Sequence, residues 1–240
     1  MNYLHWQEKT ITDFSEKHIS AMYADGYVFT RIGKGVMHRT RSVRIDLNKF
    51  TLSSENRRVL KKVEALSLNG IALPLAEYDF RIGKLAKDFY EDKFGPGIMS
   101  AQKIKEMLTD GNKSNFNLIL GYTIYGIIGD ADSKTPISTT PEIPPHFPVG
   151  YTICYSNALL LHYSYPFYDL AATPKDTGLG MMTMAIEDAK KTGMKYIYLG
   201  SLQRPTDTYK LQFEGLEWFD GKKWSGDIES VKNLLKGSVE

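Results

Sequence analysis

The stretch that decides the fold is Tyr163–Glu217, YSYPFYDLAATPKDTGLGMMTMAIEDAKKTGMKYIYLGSLQRPTDTYKLQFEGLE. It reads as a strand, a glycine turn, a helix, a second strand and a Tyr-Lys pair. In the helix, Gly180 to Lys191, residues Met181, Met184, Ala185 and Ile186 form an inward face, and Gly193 closes it. A strand that feeds a glycine turn at a helix N-terminus aims backbone N–H groups and the positive end of a helix dipole at an anion. Here the turn is Lys175–Gly180, KDTGLG. Glycines at 178 and 180 let the backbone approach a ligand and adopt positive φ. Lys175, Thr177, Gly178, Leu179 and Gly180 are therefore the expected contacts to the phosphate of a nucleotide-linked donor. The plain alternative is a connection with no ligand.

Working outward, a meander of strands precedes this crossover. Leu118, Leu120, Ile124, Ile127 and Ile128 mark one β-rich run, and Gly150–Cys154 and Ala158–Tyr163 read as two more strands. Between them, residues 131–149 hold five of the ten prolines, so a Pro-rich insertion is expected there. Further upstream the chain is helical. Ala76–Phe94 and Ser100–Leu108 read as helices, the first stopped at Gly95-Pro96-Gly97. Ser53 or Ser54 caps a helix whose apolar face is Val59, Leu60, Val63 and Leu66. Before it, apolar and polar residues alternate around Tyr27–Ile32 and Val43–Leu47, predicting a strand pair joined near Gly33 and Gly35. The whole is α/β: a mixed sheet flanked by helices, with a small basic α+β part at residues 1–97 and a larger sheet-bearing core at 98–240.

Composition narrows the function. The 240 residues are 42% hydrophobic and 24% charged, which is ordinary for a globular chain. No run of 18 apolar residues is present, and the N-terminus lacks a basic leader followed by an apolar core. A cytoplasmic protein without a membrane partner is expected. The single Cys154, in YTICYS, excludes an intrachain disulfide and reads as a core thiol. His5, His18, His38, His146 and His162 show no metal spacing, so no metal is expected, and His162 reads as a core residue. Neither a G-x-S-x-G elbow nor a P-loop occurs. Charge is uneven. Between Arg31 and Lys62, ten basic residues face two acidic ones, a net +8, leaving −6 for the rest of a chain whose total is +2. That asymmetry points to a polyanion, or to a solvated basic surface.

Three residues around the crossover have acid–base chemistry. Tyr209, past the second strand, can protonate a leaving group, or simply pack its ring. Asp169, at the end of a strand, can bind or deprotonate an amine, or cap the turn that follows. Glu217 can orient an amine, or lie at the surface.

KDTGLG is similar to the Arg/Gln-x-x-Gly-x-Gly/Ala turn with which acetyltransferases of the GNAT superfamily hold coenzyme A. Over a longer span the chain resembles the arginyl- and leucyl-tRNA–protein transferases. Arg41–Lys62, RSVRIDLNKFTLSSENRRVLKK, is similar to their basic strand, Phe, serine-rich segment and doubled Arg. Phe167–Gly200 and TYKLQFEGLE are similar to their Tyr-Asp, turn, helix, KYYYLG and Tyr-Lys-x-x-Phe blocks. The likeness runs from about Met22 to Trp224. It implies a GNAT-like fold that moves an amino acid from aminoacyl-tRNA to the N-terminal amine of a protein or peptide, with no other cofactor. Arg41, Arg44, Arg57, Arg58, Lys61 and Lys62 would meet tRNA phosphates. Tyr209, Asp169 and Glu217 would serve catalysis, and a backbone N–H near Tyr198 or Leu199 would meet the oxyanion. Two departures stand out. KGVMHRTRS occupies the place of the family's cysteine cluster, so the resemblance implies a divergent member without that metal site. Gly178-Leu179-Gly180 replaces Ser-Leu-Gly, which keeps open an acyl-CoA-dependent N-acetyltransferase using acetyl-CoA. A GNAT-like domain that only binds a partner is the third reading.

Overall fold

The computed structural model describes residues 3–124 and 148–236. The Pro-rich stretch up to residue 147, His146 included, lies outside them. Near the N-terminus, β1 (Gln7–Thr10), β2 (Tyr27–Phe29) and β3 (Val36–Arg39) form an antiparallel sheet in the order β1-β3-β2, with α1 (Glu16–Ala24) between β1 and β2. The hairpin therefore closes between β2 and β3. The strand pair read across Tyr27–Leu47 is corrected: its second half, β4 (Ser42–Asp46), belongs to another sheet. Gly35 fixes the turn. Its φ is 78°, and a Cβ there would stand 2.3 Å from the Ile11 carbonyl oxygen.

The remaining elements follow in order: α2 (Ser54–Lys62), β5 (Leu66–Ala72), α3 (Phe80–Phe94), α4 (Ala101–Thr109), β6 (Leu118–Ile124), β7 (Gly150–Ser156), β8 (Leu160–Tyr168), α5 (Thr177–Lys191), β9 (Tyr196–Ser201), a 3-10 helix (Pro205–Gln212), β10 (Leu216–Phe219), β11 (Trp224–Ser225) and α6 (Ile228–Lys236). The eight strands from β4 onward make one sheet, β11-β10-β4-β9-β8-β7-β6-β5, in which only β8 and β9 run parallel. This is a mixed sheet flanked by helices, with the β8–α5–β9 crossover at its centre. Strands from both sides of the boundary expected near Ile98 share that sheet. β5 was not foreseen: Leu66, read as part of a helix face, lies beyond the α2 C-cap at Val63. Among the described residues no helix is long and apolar enough to cross a membrane.

Strand alternation divides the core in two. Val43, Ile45, Leu161, Tyr163, Ile197 and Leu199 face α5 and the Val63 end of α2. Tyr198, Leu160, Ile153 and Ile119 face α1, α3 and α4 on the other side. In β8 the alternation breaks. Cys154 pairs with Tyr163 and Ile153 with Tyr165, so Ser164 is an extra residue, a β-bulge. It turns Phe167, which would share the face of Leu161 and Tyr163, towards the opposite core.

The bulge also ends a ladder. β8 pairs with β9 only at Leu160↔Tyr196, Leu161↔Ile197 and His162↔Tyr198. Beyond that, β8 stays paired with β7 as far as Tyr168, and β9 with β4 as far as Ser201. The sheet thus opens between two strands that are each held from outside. Three local features produce the opening: the bulge at Ser164, Pro166, which lacks a ladder donor, and Gly200, whose φ of 77° leaves strand geometry.

Two expectations about this frame can be checked. Gly180 packs on Val63, where a Cβ would stand 2.6 and 2.8 Å from the two valine methyls. Gly180→Ala should destabilise by about 1–3 kcal/mol in urea unfolding, and Val63→Ala should relieve part of that loss. No loss would mean that the α2–α5 contact yields easily. At the last paired position, buried His162 has its Nδ1 2.9 Å from the Tyr23 hydroxyl. Burial, with Lys210 nearby, lowers its pKa to about 3. The unfolded chain then binds one more proton than the native chain between about pH 6.5 and that value. Stability should fall on acidification through this window by up to about 1.4 kcal/mol per pH unit. His162→Gln should flatten that slope; an unchanged slope would assign it to other groups.

Candidate functional site

The opening between β8 and β9 gathers the groups with chemistry. Its floor is the His162↔Tyr198 pair, its lips are Ser164–Tyr168 and Leu199–Ser201, and the 3-10 helix brings a lysine to the Ser201 lip. Lys210, on that helix, donates from Nζ to the Ser201 carbonyl at 2.9 Å. Burial holds Lys210 below the ordinary lysine range, against the pull of Asp207. Next to it, Tyr209 is 45% exposed. Desolvation of its phenol, with the nearby Asp207 carboxylate, pushes its pKa up to about 12. On the β8 side, burial pushes the Tyr165 phenol up to about 12, against the pull of the Arg31 charge. The Arg31 guanidinium lies 5.9 Å from the Tyr165 ring centroid, and that of Arg204 4.9 Å from the Phe94 ring. The mouth is therefore aromatic and cationic.

The turn before α5 is built differently from the expectation. α5 begins at Thr177, so Gly178 and Gly180 lie inside its first turn, and the left-handed residue is Asp176, with φ 75°. The expected positive φ at the two glycines is corrected. They are small because neighbours are close: Gly180 on Val63, and Gly178 on Tyr168, whose ring and hydroxyl would stand 3.0 Å from a Cβ. One helix-end donor is already taken: the Thr177 N–H bonds the Pro174 carbonyl at 3.2 Å, while the Tyr168 ring and hydroxyl pack over Gly178. Leu179 is partly buried, and Lys175 is exposed. Asp176 sits at the mouth of the turn, 2.6 Å from Lys62 Nζ. That hydrogen bond lowers its pKa and keeps the carboxylate charged.

The remaining sequence-derived residues fall into three places. Asp169 accepts from the Ala171 and Ala172 N–H groups at 2.9 Å, so its carboxylate caps the turn. Arg44 and Glu217, assigned to separate roles, are partners. Glu217 Oε2 accepts from Arg44 Nε at 2.9 Å and Nη2 at 2.8 Å, while Arg44 Nη1 donates to the Tyr198 hydroxyl at 3.4 Å. The guanidinium is sandwiched 4.1 Å from the Tyr196 ring centroid and 4.0 Å from that of Trp224. Arg44 is thus buried on the sheet face opposite α2, away from the other arginines with which it was grouped. Arg57, Arg58, Lys61 and Lys62 are exposed on α2, with Arg58 paired to Glu55 and Lys62 to Asp176. Arg41 is half-buried before β4, and burial lowers its pKa.

In the sequence Lys210 is marked only by its place in the Tyr-Lys pair, and Tyr165 and Arg204 by nothing. Pro166 inside a strand pattern was the available signal, since a proline there marks an edge or a bulge. Two open depressions elsewhere, one lined by Thr51, Leu52, Glu187, Lys190 and Lys191 and one by Glu77–Phe80, bring together none of these groups.

No protein-family model matches the chain, and no curated protein matches it. Solved structures do. L-PGS from Bacillus licheniformis is 12% identical with a TM-score of 0.44, covering 77% of this chain and 50% of that one. The C-terminal DUF2156 domain of a protein from Agrobacterium fabrum, provisionally named a lysylphosphatidylglycerol synthetase, is 10% identical with a TM-score of 0.43, covering 79% and 53%. A functionally unknown conserved protein from Staphylococcus epidermidis is 10% identical with a TM-score of 0.36, covering 85% and 66%. The chain spans about half the length of the first two. At this distance the functional reading rests on the opening in the sheet.

Proposed function

We propose that the protein is an aminoacyltransferase that moves an amino acid from aminoacyl-tRNA to the N-terminal amine of a protein or peptide, at the opening between β8 and β9. The observation that carries the reading is the opening itself: a break in an otherwise continuous sheet, lined by Lys210, Tyr209 and Tyr165. In the reaction, the amine nitrogen attacks the ester carbonyl and the bond to the ribose oxygen breaks. One proton leaves the amine and one reaches the ribose oxygen, giving an amide and free tRNA. Holding both partners in the gap supplies proximity. Lys210 brings positive charge to the oxyanion, joined by unpaired backbone of β9 beyond Tyr198. Tyr209, protonated at neutral pH, is suited to deliver the proton to the ribose oxygen.

The donor choice follows from charge. A coenzyme A pyrophosphate at the start of α5 would meet the Asp176 carboxylate and the Tyr168 ring packed over Gly178. Exposed Arg57 and Lys61 on α2, one helix away, suit a longer polyanion. The Lys62–Asp176 contact ties that helix to α5. An acyl-CoA donor remains the second reading, on the strength of the KDTGLG turn.

Binding of purified protein to total tRNA and to acetyl-CoA, each at several salt concentrations, tests the donor. Expected is salt-sensitive tRNA binding without acetyl-CoA binding, with Arg57→Ala/Arg58→Ala lowering the slope of log K against log salt by about 2. Acetyl-CoA binding alone would move the protein to the N-acetyltransferases. Separately, Tyr209→Phe should cut kcat by roughly 10²-fold or more, with KM and melting temperature little changed. Full activity in that variant would remove Tyr209 from the proton path.

A further inference from the structure

The segment ahead of β1 is held in an unusual way. Leu4 donates its N–H to Gln203 Oε1 at 2.7 Å, and its carbonyl accepts from Gln203 Nε2 at 3.2 Å and Thr40 Oγ1 at 2.5 Å. One side-chain amide thus grips both backbone groups of one residue, as a neighbouring strand would. Gln203 is itself set in place: Nε2, sharing its two hydrogens among three acceptors, also lies 3.0 Å from Thr40 Oγ1 and 2.9 Å from Ser201 Oγ. Ser201 ends β9, so this clamp stands at the far lip of the opening. Tyr3 continues across the mouth. Its hydroxyl is 3.5 Å from Ser201 Oγ, and it bears electrostatically on both Tyr165 and Lys210. The ring is nevertheless 47% exposed, so this end of the strap is lightly held.

We infer that Gln203, Thr40 and Ser201 form a binding subsite for extended polypeptide backbone, occupied in cis by Tyr3–Leu4, so that a polypeptide acceptor and the chain's own N-terminal strap compete for it. Every directed contact to Leu4 goes to its main chain, so the subsite reads backbone and not sequence. Its position places a peptide bound there with one end directed at Lys210 and Tyr165. The inference names the acceptor side of the aminoacyltransferase and rests on that reading for its purpose. Peptide binding, however, needs neither tRNA nor turnover.

The test uses a fluorescently labelled peptide, Tyr-Leu-His-Trp-Gln, and a scrambled version of it. They are titrated into the full chain, a variant lacking residues 1–5 but retaining β1, and a full-length Leu4→Pro variant, which lacks the N–H that Gln203 accepts. Both variants should bind each peptide about tenfold or more tightly than the full chain. Gln203→Ala in either background should weaken binding about tenfold. Equal binding by all three proteins, or indifference to Gln203→Ala, would overturn the subsite; so would no binding by variants that melt like the full chain. Strong preference for one peptide sequence would overturn its backbone character. Saturable binding by a protein that shows no aminoacyl transfer would keep the subsite and sink only the proposed reaction.

Discussion

Everything at the centre of this molecule follows from a ladder that stops after three residue pairs. β8 and β9 begin as ordinary parallel neighbours at Leu160–His162 and Tyr196–Tyr198. The extra residue at Ser164 then bends β8, and Gly200 bends β9. Unpaired main chain inside a sheet carries a cost, because each buried N–H or C=O without a partner loses its hydrogen bond to water. The fold meets part of that cost with a side chain: Lys210 reaches back to the Ser201 carbonyl. A group placed to satisfy such an edge also stands where a ligand pairing with the edge would go. Structure and chemistry thus compete for the same atoms.

The opening persists because its two lips are held from outside. On one side β8 remains paired to β7 along its length. On the other, β9 is backed by β4, and β4 by β10. The Arg44–Glu217 pair lies across that second joint, at directly opposed positions of β4 and β10. Aromatic rings from β9 and β11 enclose the guanidinium, and the Tyr198 hydroxyl bonds it. A buried ion pair of this kind is weak evidence for stability, since desolvation opposes its attraction. Its clear consequence is registry: β10 supplies the carboxylate to the β4 guanidinium, and β9 and β11 supply the rings and hydroxyl around it, so a slip of any of these strands removes a contact from one buried charge. Tyr198, which closes the floor of the opening, is one of those groups.

Much of this was legible in the sequence. The β–α–β order of Tyr163–Glu217 was, as were the basic helix with its Ser53 cap and the core character of His162 and Cys154. What was not legible came from distance along the chain. Nothing local to Arg44 announces that Glu217 will face it, 173 residues later, so both were read as functional surface. The glycines of KDTGLG fit a ligand turn and a tight helix contact equally well; the choice turned on Val63 and Tyr168, which approach from other elements. β5 escaped because LSLNGIA alternates poorly and follows a helix without a break. Gln203 carried no motif, since its role depends on Leu4 folding back across almost the whole chain.

The two faces of the sheet bear on how two large partners would meet under the proposed reaction. α2 and α5 lie on one face, where exposed Arg57, Arg58 and Lys61 offer charge to a polyanion. α1, α3 and α4 pack on the other. The strap runs by Thr40, Ser201 and Gln203, beside the small sheet at the opening's far lip. An intact sheet would keep an RNA on the first side from a polypeptide on the second. The gap removes that barrier at one point, and Tyr209 and Lys210 cross it from the 3-10 helix. On this view the basic helix and the backbone clamp need not touch each other. Each has only to deliver one end of its ligand to the same break in the sheet.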